Sequence, residues 1–301
     1  MRNLFQSNDV WSVALYTQNI DFCLSKKLFN PLIVFNSKKL RGRVQHIHTR
    51  ADPFLFVWNK TLYIFFESVS IGEHGCIALY MTTDLERFNY LGVVLKESHH
   101  LSYPMVFESG SSVYMIPESG ATEEVALYRF EFFPAGLKKI RVLLVGCYSD
   151  SSILFHNGLW YLFAASARGL ELFYTDDIEF GTLLAHPASP VTVDPRVSRC
   201  GGQPVVVDGV IYRLAQDCSI RYGGNLNIVR ILELTPSTYE EVTVLESYFS
   251  RDEVWNSEGG HHLSIVNFLD RTVIAVDGLQ KDYLANKLLS PVFSALAMAT
   301  I

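Results

Sequence analysis

Four carboxylates stand at two recurring positions of the chain. Asp52 in the string RADPFLF and Asp150 in YSDSSILF open apolar runs, while Glu67 in YIFFES and Glu118 in YMIPES close others. An acid at the head of an apolar strand is costly to bury unless it is paired or hydrogen-bonded. Two at equivalent points therefore suggest one shared site, against the alternative that each Asp only caps a turn. Paired carboxylates can divide general-base and general-acid work. Glu67 follows Phe65 and Phe66, a setting in which desolvation raises a carboxyl pKa as a general acid requires. The alternative for Glu67 and Glu118 is a structural hydrogen bond to a neighbouring unit.

Two further groupings could hold a polar substrate. CGGQPVVVDG and the following QDCSIRYGG bring together Gln203, Arg213, Gln216, Asp217, Arg221 and Tyr222. EGGHHLS carries His261 and His262. Without an HxH or ExxH partner, the His pair reads as hydrogen-bonding to a substrate hydroxyl or to the aspartates rather than as a metal site. Neither a metal nor a cofactor is expected. His99 and His100 fall in a loop on the same rim and give a weak signal.

The elements that position these residues come from a repeat. Tyr63, Tyr114, Tyr161 and Tyr212 recur at spacings of 51, 47 and 51 residues. Eleven residues before the first three stand Asp52, Tyr103 and Asp150, and four residues after all of them stand Glu67, Glu118, Ala165 and Gln216. A divergent fifth copy carries His262, Val273 and Asp277. Period-two apolar runs and hairpin signals at Asn59-Lys60, Asn157-Gly158, Asp208-Gly209 and around Asp270 make each copy a small antiparallel sheet. A repeat near fifty residues with several strands per unit predicts an all-β, five-bladed β-propeller. The expected domain is residues 1–301 as a single propeller, with blades starting near 52, 103, 150, 203 and 262. The strand WSVALY is expected to complete the last blade and hide two sheet edges. Helical periodicity is confined to residues 281–297. Blade starts face the axis, so Asp52, Tyr103, Asp150, Gln203 and His262 form one predicted ring, with Glu67, Glu118, Ala165, Gln216 and Asp277 as a second.

Composition narrows the function. The chain is 49% hydrophobic and 19% charged with a net charge of −6, which excludes disorder and disfavours nucleic acid as a partner. Aromatic residues make up 13%, suiting strand packing first and sugar stacking second. Five dispersed cysteines without CxxC spacing argue against a disulfide framework or a zinc site. The start MRNLFQSNDVW lacks the apolar core of a signal peptide, and no apolar run reaches the length of a membrane span. A cytoplasmic protein without membrane association is the expectation. The basic cluster Lys38, Lys39, Arg41 and Arg43 reads as a solvated loop. The apolar run LLSPVFSALAMATI reads as a docked strand, a short helix or a contact surface.

RADPFLF, LYIFFE and DSSILFHNGLWYLF resemble the five-bladed propellers of family 43 glycoside hydrolases. That resemblance implies a general-base role for Asp52 and a tuning role for Asp150. It also implies an acid Glu at a late blade start, where this chain has GGQP and Gln203 instead. The longer run SYPMVFE, YMIPES, DSSILFHNGLWYLFA, CGGQPVVVDGVIYRLAQDC and GGHH is more similar still to the propeller module at the N-terminal side of plant glucosamine inositolphosphorylceramide transferases. Related bacterial modules are fused to formyltransferase-like domains. The similarity covers roughly residues 11–278 and implies a carbohydrate ligand in a central funnel. Two functions remain open: hydrolysis or transfer of a glycosyl group in surface polysaccharide synthesis, or non-catalytic glycan binding that positions a substrate for a partner transferase.

Overall fold

Alternating apolar residues and two-residue turns set the whole architecture. The computed structural model describes residues 9–19, 28–36, 47–70 and 72–281, except the side chains of residues 47 and 48. The basic cluster at 38–43, the helical periodicity beyond Lys281 and the apolar run 288–301 lie outside the described residues.

Near the N-terminus are β1 (Asp9–Asn19) and β2 (Ile33–Phe35). Blade one is β3 (Ile47–Trp58), β4 (Thr61–Ser70), β5 (Cys76–Thr82) and β6 (Asn89–Leu95). Blade two is β7 (Ser102–Ser109), β8 (Ser112–Glu118), β9 (Glu124–Phe132) and β10 (Ala135–Val145). Blade three is β11 (Ser149–His156), β12 (Leu159–Ser166), β13 (Gly169–Thr175) and β14 (Leu184–Ala185). Blade four has a divided inner strand, β15 (Arg199–Cys200) and β16 (Val205–Val207), followed by β17 (Val210–Asp217), β18 (Asn225–Leu234) and β19 (Tyr239–Leu245). Blade five is β20 (Leu263–Phe268) and β21 (Arg271–Lys281), extended by β1 and then β2. The protein is a five-bladed β-propeller.

The hairpins use the predicted turn residues. Asn59 and Lys60 have φ of 46° and 60°, Asn157 and Gly158 of 49° and 81°, and Asp208 and Gly209 of 50° and 77°. Two consecutive left-handed residues match the right-handed twist of the flanking strands. β1 pairs antiparallel with β21 from Asp9↔Lys281 to Asn19↔Arg271, so the N-terminal strand finishes the last blade.

Apolar burial lies between the blades. One cluster runs from Phe54 and Phe65 of blade one through Met105, Phe107, Ile153 and Phe163 to Ile231 of blade four. A second joins blade five to blade one through Leu15, Val273, Leu55 and Phe66, and a third joins blade four to blade five through Leu214, Ile228, Leu263 and Val276. Packing on both faces of every sheet fixes the blades around the axis and holds the inner strands together: β3 lies against β7 and β20, and β11 against β7 and β15.

Candidate functional site at the propeller axis

Each of the first three blades begins with the same distortion. Strand pairing slips between Ala51 and Phe54, between Ser102 and Met105, and between Ser149 and Ser152. The residue in each slip is left-handed although it is not glycine: Asp52 at φ 51°, Tyr103 at 45° and Asp150 at 47°. A bulge re-aims one side chain and leaves its backbone group unpaired. Strain of this kind persists only where the surroundings over-determine it.

The surroundings here are carboxylates of the preceding blade. Asp277 Oδ2 of blade five accepts the N–H of Asp52 at 3.3 Å, Asp52 Oδ2 of blade one accepts that of Tyr103 at 3.2 Å, and Glu118 Oε2 of blade two accepts that of Asp150 at 3.1 Å. Asp277 and Glu118 share one repeat position and Asp52 stands at the other, and together they give each bulged amide the partner that a buried N–H needs. Blade four breaks the pattern. Its register position is Gly201, and Gly202 follows at φ 140° with a would-be Cβ only 2.0 Å from the Leu263 carbonyl oxygen. Tyr103 closes this gap from across the axis: its hydroxyl accepts the Gly202 N–H at 2.8 Å and lies 2.7 Å from Ser152 Oγ.

Two ion pairs neutralise the centre. Asp150 Oδ2 receives Arg199 Nε and Gln216 Nε2, each at 2.5 Å. Burial opposes ionisation of Asp150, but the Arg199 charge and hydrogen bonding with Glu118 outweigh it and hold its pKa below the ordinary value. Asp277 Oδ2 lies 2.6 Å from His261 Nδ1, while Oδ1 accepts the backbone N–H groups of His261 and His262 at 2.8 and 3.0 Å. Burial works against the His261 imidazolium, yet the Asp277 carboxylate carries its pKa up to about 9. Burial drives His262 down to about 3, and its neutral ring sits edge-on to Phe54 and Tyr103. Two other acids move the opposite way. Burial raises Asp52 well above its usual range despite the pull of His261, and burial followed by the Asp150 charge does the same to Glu118. Donor atoms of Asp52, His261 and Asp277 lie within 4.8 Å of one another.

The rim is more open. Glu67 Oε1 lies 3.0 Å from His100 Nε2, and His100 Nδ1 accepts the Gly75 N–H. Arg199 stands 4.9 Å from the centroid of the Tyr222 ring, whose hydroxyl is 2.7 Å from His261 Nε2. Tyr222 is 51% exposed, and the Trp11 ring meets it edge-on while stacking on His261 at 4.3 Å.

Several expectations need correcting. Gln203 lies two residues beyond the register point, half-buried and outside the axial hydrogen bonds. Arg213 is fully buried but faces away from the axis, holding Glu241 at 3.0 and 2.7 Å and the Val197 carbonyl at 2.8 Å. Asp217 caps its own loop by accepting from the Ser219 N–H and hydroxyl. Tyr103 is buried with its hydroxyl engaged, so it braces the ring and does not face a ligand. Glu67 is engaged by His100 Nε2, and burial raises the Glu118 pKa well above its ordinary value. Asp52, Asp150, Glu118, Gln216, His261 and His262 do meet at the axis, with Tyr222 above them.

The family model for glucosamine inositolphosphorylceramide transferase 1, N-terminal, matches residues 19–279. The chain belongs to this family. It is 35% identical over 230 residues to glucosamine inositolphosphorylceramide transferase 1 of Arabidopsis thaliana, covering 71% of this chain and 30% of that protein. The transferase 1 of Oryza sativa subsp. japonica is 34% identical over 228 residues, again covering 71% of this chain and 30% of the relative. The chain thus spans under a third of these relatives. Among solved structures, the GH43 beta-xylosidase/alpha-arabinofuranosidase CoXyl43 from a compost microbial metagenome superposes with a TM-score of 0.56 at 12% identity, over 79% of this chain and 92% of that one. The catalytic domain of Coprinopsis cinerea GH62 alpha-L-arabinofuranosidase gives 0.55 at 14% identity, over 78% and 93%. At such identities the likeness is one of fold.

Within this family member, residues outside the two predicted rings complete the site. Arg199 lies two residues before Gly201, and pairing of Arg199 with Gln216 sets it beside Asp150. Its only sequence signal is the RCGG string. Trp11 carried none, because only closure of the ring by β1 brings it to the mouth. His100 enters through a loop return, held by the Leu101 N–H to Gly75 carbonyl bond.

Proposed function

We propose that the propeller is a glycan-binding module that holds a sugar at its axial mouth and presents it to a transferase. The observation that carries this reading is the engagement of the acids: Asp150 and Asp277 are committed to Arg199 and His261, while blade four offers Arg199 and two glycines where a hydrolase would place its acid. What remains at the surface suits a polyol. The open Tyr222 ring offers an apolar face for a sugar ring, Arg199 can donate to hydroxyls, and Glu67 and Glu118 can accept from them. The relatives are named glucosamine inositolphosphorylceramide transferase 1, which supports a glycolipid headgroup as the ligand class. The test is titration of the protein with a panel of free glycans and inositol-containing headgroups, with parallel product analysis. Saturable binding without product, lost in Tyr222→Ala, supports the reading. Absence of binding across the panel overturns it.

One observation favours a second reading. Burial and the Asp150 charge push the Glu118 pKa well above its ordinary value, the direction a general acid requires. If product forms and Glu118→Gln stops it, the module is an enzyme of glycosyl hydrolysis or transfer.

A further inference from the structure

A cavity of about 410 Å³ lies between blades two and three on the face away from the axial ring, lined by Glu108, Ser109, Gly110, Phe155, Trp160, Asp176 and Asp177. Its position follows from the strands: Ser109 ends β7, Trp160 is the second residue of β12 and Asp176 follows β13, all at the ends remote from Tyr103 and Asp150. Half-buried Trp160 is part of the lining. Its ring is held between Phe107 at 5.2 Å and Phe155 at 4.9 Å, and Phe155 is itself 55% exposed.

The walls have one sign of charge. Glu108 and Asp176 are exposed, and Asp177 uses Oδ1 to cap the turn through the Glu179 and Phe180 N–H groups. No Lys or Arg lines the cavity. The cations on the neighbouring turn are already engaged, Arg129 with Glu179 and Arg141 with the carbonyls of Ile178 and Gly181. An indole and carboxylates lining one cavity favour a cation that also has apolar surface, because the ring quadrupole and the carboxylates attract the same charge. A neutral ligand would gain only from the ring, and an anion would be repelled.

We propose that this cavity binds a small alkylammonium group, seated on Trp160 and flanked by Glu108 and Asp176. The site is separate from the axial mouth and does not depend on the function assigned there. The test is titration at constant ionic strength with tetramethylammonium chloride, methylammonium chloride and tert-butanol, following the Trp160 indole resonance assigned through Trp160→Phe. The expected result is a saturable shift with an ammonium ion, weakened about tenfold in the Glu108→Gln, Asp176→Asn double variant, whose fold is checked by its circular dichroism. The tighter of the two cations identifies a quaternary or a primary ammonium as the natural group. No saturable shift with either cation, an equal shift with tert-butanol, or unchanged affinity in the double variant overturns the proposal.

Discussion

Glu118 of blade two accepts the backbone N–H of Asp150 at the start of blade three, with an N···O distance of 3.1 Å. One contact therefore couples a local strand distortion to the packing of two blades. Asp277 does the same for Asp52 across the seam where the ring closes. Removing such an acceptor strands a buried donor, which costs about 1–3 kcal/mol. Glu118→Ala is expected to lower unfolding free energy by that amount in urea titrations. Glu118→Gln keeps a carbonyl acceptor at the same reach and should cost less than half as much.

The His261–Asp277 pair makes stability depend on pH. His261 rises in the folded state from 6.5 to about 9. A raised folded pKa contributes stability that is complete below pH 6.5 and lost as pH climbs through about 9. Two to three pKa units correspond to roughly 3 kcal/mol. Unfolding free energy should therefore fall between pH 6.5 and 9, and the fall should flatten in Asp277→Asn, which removes the counter-charge. An equal slope in both proteins would show that the pair does not set it.

Arg199→Met should be among the most destabilising changes at the axis. It leaves Asp150 buried and ionised without its cation, a situation that costs about 3–5 kcal/mol when one partner of a buried pair is removed. Thermal denaturation measures the loss directly. Arg199→Met combined with Asp150→Asn should recover part of it, since the stranded charge is gone.

Tyr103→Phe isolates the brace across the axis. The phenol satisfies the Gly202 N–H and meets Ser152, so loss of the hydroxyl should cost about 1–3 kcal/mol with little change in packing. The crystal structure of the variant should show Gly202 displaced or a water in the place of the hydroxyl.

The fold and most of the axial cluster, Arg199 excepted, were legible in the sequence because their signals are local. Period-two runs, Asn-Gly and Asp-Gly turns and a repeat register fix strand number and the axial places of Asp52, Asp150, His262 and Gln216 without tertiary information. Register fails where a blade departs from the repeat: Gly201 and Gly202 replace the bulge, so Gln203 is carried past the ring. Strand parity already separates Arg213 from Gln216, three residues apart on β17, and places it on the other face, where Glu241 waits. Trp11 becomes part of the mouth only through ring closure, which no short-range pattern encodes, whereas the loop carrying His100 gave a weak signal on the same rim. The left-handed state of Tyr103 was equally hidden, since residues other than Gly, Asn and Asp rarely adopt it.

The decisive measurement is calorimetric titration of glycans and inositol-containing headgroups into the unmodified protein and into Tyr222→Ala, with the same mixtures analysed for product. Saturable binding by the unmodified protein, at least about tenfold weaker in Tyr222→Ala and with every glycan recovered intact, is the predicted result. Turnover of the bound glycan, or binding indifferent to Tyr222, would contradict a mouth built to hold a sugar without cleaving it.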